Sequence, residues 1–345
     1  MLKRLSLAIV LACVAASVPA RGEESMSAAS LYGEPEVMQF KDGKPAAFSM
    51  QFDDSTLTQA KFAIPEMNKR GLVGTFFINP DSSRYQANKE TWEVICPKFG
   101  HELANHTMKH TGAKDYEEAD HEIGACAHLI WKLYPNESKL RPFLRGGGTT
   151  WNVSREEMQE LRDKYFLFSG FAGPRRVGIC DERGTGPIKA YAKAALDEGK
   201  WGQVGFHGVG GDWISTSEEN FIELLDYLVA NRDKIWVATT GDAYRYWQEY
   251  EAVREVTLSQ ATESGFKVAI ECDEEKVKTY GRPFTELYDE ALTVRVRVPD
   301  SWSRFAVTQG DEEKAYEAVA VEGKPYAQFD LRPNIGPATV TLSAE

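Results

Sequence analysis

Between residues 46 and 250, short apolar runs alternate with longer stretches whose apolar residues recur at helical spacing. The first run, 46–52, reads as a strand and ends in Asp53-Asp54. Residues 56–70 read as a helix with Phe62, Ile64 and Met67 apolar and Gly71 as its stop. Residues 72–78 form a continuous apolar run of the kind buried on both faces. Helical patterns follow at 89–99, closed by Gly100, and at 115–134, ended by Pro135. A strand at 140–144 runs into Arg145-Gly146-Gly147-Gly148. Ser154-Arg155-Glu156-Glu157 has the form of a capping box opening a helix over 154–163. Then come a short strand at 165–168, a helix at 188–198 and a strand at 202–207. An amphipathic helix at 217–231 and a strand at 235–239 close the series.

Strand-helix alternation of this kind implies parallel strands with helices outside, either an α/β barrel or a doubly wound sheet. From Val253 the period changes to two, at 256–258, 266–270, 292–298 and 338–342, with no long helix between. That pattern reads as a separate all-β domain of sandwich type over 251–345. The α/β unit is expected over 41–250, preceded by a linker at 21–40.

Residues 1–20 change the picture of where the protein acts. Lys3 and Arg4, a short apolar run and the small residues Ser17-Val18-Pro19-Ala20 read as a secretory signal peptide. The apolar run is too short to span a bilayer, and no other stretch reaches spanning length. The expected location is therefore secreted or periplasmic, with lipid attachment at Cys13 the lesser alternative because Val10-Leu11-Ala12 is a poor lipobox. In an oxidising compartment Cys96 and Cys126 are the pair best placed for a disulfide, and buried free thiols are the equal alternative. A net charge of −12 argues against nucleic acid and anionic surfaces as partners.

Three of the six histidines fall within Gly100-His101-Glu102-Leu103-Ala104-Asn105-His106-Thr107-Met108-Lys109-His110. His106 and His110 are four apart, and on a helical turn both imidazoles would share one face and one cation. Alone the pair carries little weight, and an Asp-Asp dipeptide is more often a solvated loop than a site. Placement raises both: Asp53-Asp54, the histidine stretch, Arg145 and His207 all follow expected parallel strands, where sites in α/β folds assemble. The other histidines, and Glu117, Glu118 and Glu122 on one helix face, read as structural or solvated.

Phe52-Asp53-Asp54, Gly74-Thr75-Phe76-Phe77-Ile78 and the Gly100–His110 stretch together resemble the polysaccharide deacetylase family, that of nodulation-factor and chitin deacetylases. The resemblance covers about residues 40–250. It implies a distorted (β/α) barrel of seven strands and a divalent metal, most often Zn2+. Carried over by position, Asp54, His106 and His110 resemble the metal triad, Asp53 the general base and His207 the general acid. Arg145 resembles the arginine that holds the base carboxylate. The family follows that arginine with prolines and an aromatic, whereas three glycines follow here, either presenting backbone N–H groups to an oxyanion or forming a turn. Arg141-Pro142-Phe143 is a rival for that motif. Asp181 or Asp212 is the candidate partner of His207, and Trp151 and Trp213 are candidates to stack on a sugar ring.

The expected activity is removal of acetyl groups from a polysaccharide or oligosaccharide. The alternatives are hydrolysis of another C–N bond, as in a cyclic amide or imide, and a non-catalytic carbohydrate-binding protein on the same scaffold.

Overall fold

The computed structural model describes residues 31–173 and 188–343. Seven parallel strands form the first sheet: β1 (Ala46–Asp53), β2 (Thr75–Ile78), β3 (Glu102–Asn105), β4 (Arg141–Phe143), β5 (Leu167–Ser169), β6 (Trp201–Phe206) and β7 (Ile235–Val237). β1 is central. β6 pairs with one edge of it along Ala47–Phe52, while β7 and β2 share the other edge at Ala46–Phe48 and Gln51–Asp53. From β2 the sheet continues through β3 and β4 to β5. Among the described residues no strand pairing joins β5 to β6, so the half-barrel is open there.

Alternation along β1 sorts its side chains between two layers. Phe48, Met50 and Phe52 enter the apolar core with Ile64, Met67, Phe221 and Leu224 of the surrounding helices. The Phe52 ring stacks on Phe76 of β2 at 4.7 Å and on Phe206 of β6 at 4.9 Å, fastening three neighbouring strands. Ser49 and Gln51 are also buried, and their polar atoms are paired. Trp201 Nε1–H donates to Ser49 Oγ at 3.0 Å, and Gln51 Nε2–H donates to the Gly170 carbonyl at 2.6 Å.

A helix that the hydrophobic pattern does not announce, Thr240–Ala252, closes the N-terminal end of the strands. The Thr240 N–H donates to Thr75 Oγ1 at 2.7 Å, and the Gly241 N–H donates to Glu102 Oε2 at 2.9 Å. The Glu102 carboxylate thus meets the positive end of a helix inside the barrel. The helix escapes detection because its buried face includes Arg245 and Glu249. Arg245 is held by Asp242, Asp289 and Glu290, the last two from within the β unit, just before its strand Leu292–Arg297.

Beyond it lie antiparallel sheets of four and five strands. Phe266, Val268 and Ile270 from one sheet share an apolar cluster with Val294, Val296, Ala327 and Phe329 from the other. Strands Arg304–Gln309, Glu312–Glu317, Val319–Val321 and Lys324–Leu331 complete these sheets and were not among the expected strands; Glu312–Glu317 is almost wholly polar. The stretch expected as a linker contributes to the same unit: Glu36–Val37 pairs antiparallel with Arg295–Val294. Cys96 and Cys126 are buried in the core as free thiols, the second of the two alternatives that the sequence left open, and not as a disulfide. Among the described residues, no helix is long and apolar enough to cross a membrane. The signal-peptide residues, Cys13, Cys180 and Asp181 lie outside the described residues.

Candidate metal centre

Asp53 ends β1, and the chain then turns sharply, with Asp54 at φ 74° and Ser55 at φ 50°. The histidine segment is similar. β3 stops at Asn105, and Thr107 (φ 69°) and His110 (φ 61°) are left-handed. His106 and His110 therefore meet across an irregular loop rather than along the helical turn that their spacing invites. Such backbone costs roughly 1–3 kcal/mol per non-glycine residue and persists only where surrounding contacts enforce it.

Those contacts are present. The Thr107 N–H donates to Asn105 Oδ1 at 3.0 Å, and the His110 N–H to Thr107 Oγ1 at 3.2 Å. Asn79, after β2, ties the two ligand-bearing loops together. Its N–H donates to Ser55 Oγ at 3.1 Å, and its Nδ2 donates to the His106 carbonyl at 2.6 Å and the Thr107 carbonyl at 3.1 Å. Glu122, expected on a solvated face, is buried instead, and its Oε2 accepts from the Lys109 N–H at 2.8 Å. Gln59 does the same work on the other side, donating from Nε2 to the carbonyls of Asp53 (2.6 Å) and His207 (2.7 Å). Neither Asn79 nor Gln59 stands out in the sequence, because a side-chain amide spent on loop carbonyls leaves no motif.

These loops bring Asp54 Oδ1 to 3.3 Å from His106 Nε2 and 3.4 Å from His110 Nε2. His106 Nδ1–H donates to the Leu144 carbonyl at 2.7 Å, so Nε2 is the nitrogen turned to Asp54: it donates to the carboxylate when the ring is protonated and offers a lone pair to a metal when the ring is neutral. Bond lengths of about 2.0–2.2 Å place two ligands of a tetrahedral ion roughly 3.3–3.6 Å apart. The donor set and its spacing fit a divalent cation, and ligand atoms from all three residues lie within 4.8 Å of one another.

Burial pushes the Asp54 carboxyl up, but the His106 hydrogen bond and the charges of His106, His110 and His207 outweigh it and hold it below the usual range. Burial pushes His106 down, and its hydrogen bond to Asp54 with the charges of Asp53 and Asp54 wins, so it sits above its ordinary value. For Asp53 burial dominates. The carboxyl is raised despite the opposing charges of His106 and His207.

His207 follows β6, with Nε2 4.0 Å from Asp54 Oδ2. Among the described residues no other carboxylate lies within 4.0 Å of it. Asp212 is engaged elsewhere, accepting from the Thr58 N–H at 2.7 Å. Arg145 is exposed on the cleft wall and makes no ion pair with Asp53 among the described residues. Its rival Arg141 is buried at the far end of β4, where it pairs with Glu137 at 2.8 Å and Glu102 at 3.5 Å. Of the three glycines, Gly146 has a steric duty: a Cβ there would stand 2.8 Å from the His110 ring. Gly147 and Gly148 line the cleft. Trp213 is 59% exposed on the cleft rim. Trp151 instead packs on the apolar cluster of Ala113 and Phe143 and does not line the cleft.

No family model matches the chain. Over 355 aligned residues it is 22% identical to a gellan lyase from Bacillus sp. That alignment takes in 91% of this chain and 13% of the relative, so the chain spans only a small part of that protein's length. Among solved structures it is similar to a peptidoglycan deacetylase from Bacillus subtilis, with 18% identity, a TM-score of 0.41, and coverage of 60% of this chain and 94% of that one. It is also similar to a family 4 carbohydrate esterase from Streptomyces lividans in complex with acetate, with 16% identity, a TM-score of 0.40, and coverage of 56% and 93%.

Proposed function

We propose that this chain is a secreted, metal-dependent carbohydrate deacetylase of the polysaccharide deacetylase family. The observation that carries the reading is the spacing of Asp54 from His106 and His110, with a second carboxylate, Asp53, beside it and His207 across it. Two imidazoles and one carboxylate leave part of a tetrahedral shell open, the arrangement of catalytic rather than structural sites. The donor types favour zinc, and the open cleft beside them favours a bulky substrate.

When bound, such an ion supplies Lewis acidity, polarising the acyl carbonyl and acidifying water. Asp53, adjacent in sequence but outside the ligand set, accepts the proton of the attacking water, and its burial raises its proton affinity for that task. His207 Nε2 faces the same space from the opposite loop and returns a proton to the departing nitrogen or oxygen. Gln59, bonded to the backbone of both residues, keeps base and acid in register. Arg145 and Trp213, on the cleft wall, contact the glycan.

The reading includes a signal peptide over 1–20, a catalytic unit over 41–250 and an accessory β unit over 251–345 that also takes in the Glu36–Val37 strand. The test is acetate release from a panel of acetylated glycans before and after chelation. Release that stops on chelation and returns with zinc supports the reading. Glycan binding with no release from any member of the panel supports a non-catalytic scaffold instead.

A further inference from the structure

The cleft has two arms that meet at Asp54, His110 and Trp213. One, of about 380 Å³, holds Asp53, His207 and Arg145. The other, of about 360 Å³, is lined beyond the shared residues by Asn79, Ser82, Ser83, Arg84 and Lys109, none of which lines the first. The chain as a whole carries a net charge of −12, yet apart from Asp54 both formally charged side chains of this second arm are cations.

The two cations differ in how far they are neutralised. Arg84 is exposed on the short helix Ser83–Ala87 and makes no ion pair among the described residues. Lys109 is steered by Glu122, whose carboxylate accepts the Lys109 backbone N–H, while the ammonium stands 3.7 Å from Glu122 Oε1 and stays half exposed. Concave walls bearing one sign of charge focus the local field against the background of the whole molecule. Arginine adds a planar fork matched to a carboxylate or phosphate, and the lysine adds a mobile point charge.

We propose that the second arm binds an anionic sugar residue next to the acetylated one, so that the substrate is an acidic glycan bearing carboxylate or phosphate groups. This inference rests on the deacetylase reading and names the substrate class of that same site. Arg84 and Lys109 hold the anion, Ser83 offers a hydroxyl to the ring, and Trp213, at the junction of the arms, covers the face of the sugar between them.

The experiment compares acetate release from three matched acetylated oligosaccharides whose neighbouring residue is a uronate, a sugar phosphate or the neutral parent. We expect kcat/KM on at least one acidic substrate to exceed that on the neutral parent by roughly 10- to 100-fold. The advantage should shrink as salt is raised. In R84A and K109A it should fall, and in the double variant it should approach one, with the folded state of each variant verified by circular dichroism; R84A, which breaks no ion pair among the described residues, should keep a thermal midpoint close to wild type. The anion giving the larger advantage identifies the group recognised. A wild-type ratio near one, or a ratio unchanged in the double variant, overturns the proposal while leaving the deacetylase reading intact. If no substrate releases acetate, the deacetylase reading fails. Affinity electrophoresis on the same glycans then decides this inference separately: retardation by the acidic glycan that is lost in the double variant sustains the arm, and no retardation overturns it.

Discussion

His106 Nδ1–H donates to the carbonyl of Leu144 at 2.7 Å, and this bond decides what the other ring nitrogen can do. A carbonyl only accepts, so Nδ1 carries a proton in either charge state, and Nε2, turned to Asp54, is the nitrogen whose lone pair the neutral ring can give to a metal. His106→Ala should therefore remove a ligand. Metal content measured after dialysis should drop from near one ion per chain to near none, and kcat/KM should fall by about 10²–10⁴.

Gly146 leaves no room for a side chain beside His110. Gly146→Ala would set a methyl carbon 2.8 Å from the imidazole, so the ring or the loop must shift. A misplacement near 1 Å costs on the order of 100-fold in rate. The expected result is that loss with little change in the thermal midpoint, whereas Gly147→Ala, which meets no atom within 4 Å, should fold as well and keep its metal.

Asn79 joins the Asp54 loop to the His106 loop through three hydrogen bonds. Asn79→Ala leaves two buried carbonyls without that donor, costing about 1–3 kcal/mol by urea unfolding. The lost bonds hold the His106 loop, while the backbone bond to Ser55 survives, so metal affinity should weaken by about 10- to 100-fold as well. Loss of stability with unchanged metal affinity would show that the two loops hold themselves.

His101 gives the chain an acid-sensitive point remote from the metal chemistry. Its Nδ1 accepts from the Gly74 N–H at 3.1 Å, and its Nε2–H donates to Asn68 Oδ1 at 2.8 Å, so the neutral ring is fully bonded. Burial pushes its pKa from 6.5 down to about 4. Between those values the unfolded chain takes up a proton that the folded chain refuses. The contribution is complete above pH 6.5, declines as pH falls, and is lost by about pH 4. It amounts to at most about 3 kcal/mol. His101→Gln should flatten this part of the stability profile in urea titrations at pH 7, 6 and 5.

The parallel sheet was legible because strands buried on both faces, such as 72–78, leave continuous apolar runs that no polar helix face imitates; the choice of a barrel over a doubly wound sheet came from the family resemblance and not from the pattern. The β domain was legible only where alternation was strong. Glu312–Glu317 pairs with Arg304–Gln309 along a solvated edge, and nothing in its side chains requires a strand. The helix Thr240–Ala252 was missed because its inward side carries charges satisfied by residues forty or more positions away, as Arg245 is by Asp289 and Glu290. At the site, residue type and strand-end placement singled out Asp53, Asp54, His106, His110 and His207. The way His106 meets His110 was not legible, because the helical spacing is realised by left-handed loop residues. The sequence also offered Arg145 as a partner for Asp53 and Trp151 as a sugar platform. One points to the cleft without reaching Asp53, and the other packs into a core.

The central claim is that Asp53 serves as the base beside a metal held by Asp54, His106 and His110. The most direct measurement is acetate release by zinc-loaded Asp53→Asn, with metal content determined on the same sample. The expected result is near one zinc per chain together with at least a thousandfold loss of kcat on an acetylated glycan that wild type deacetylates. Full turnover by the zinc-loaded variant, or loss of the metal with the substitution, would contradict it.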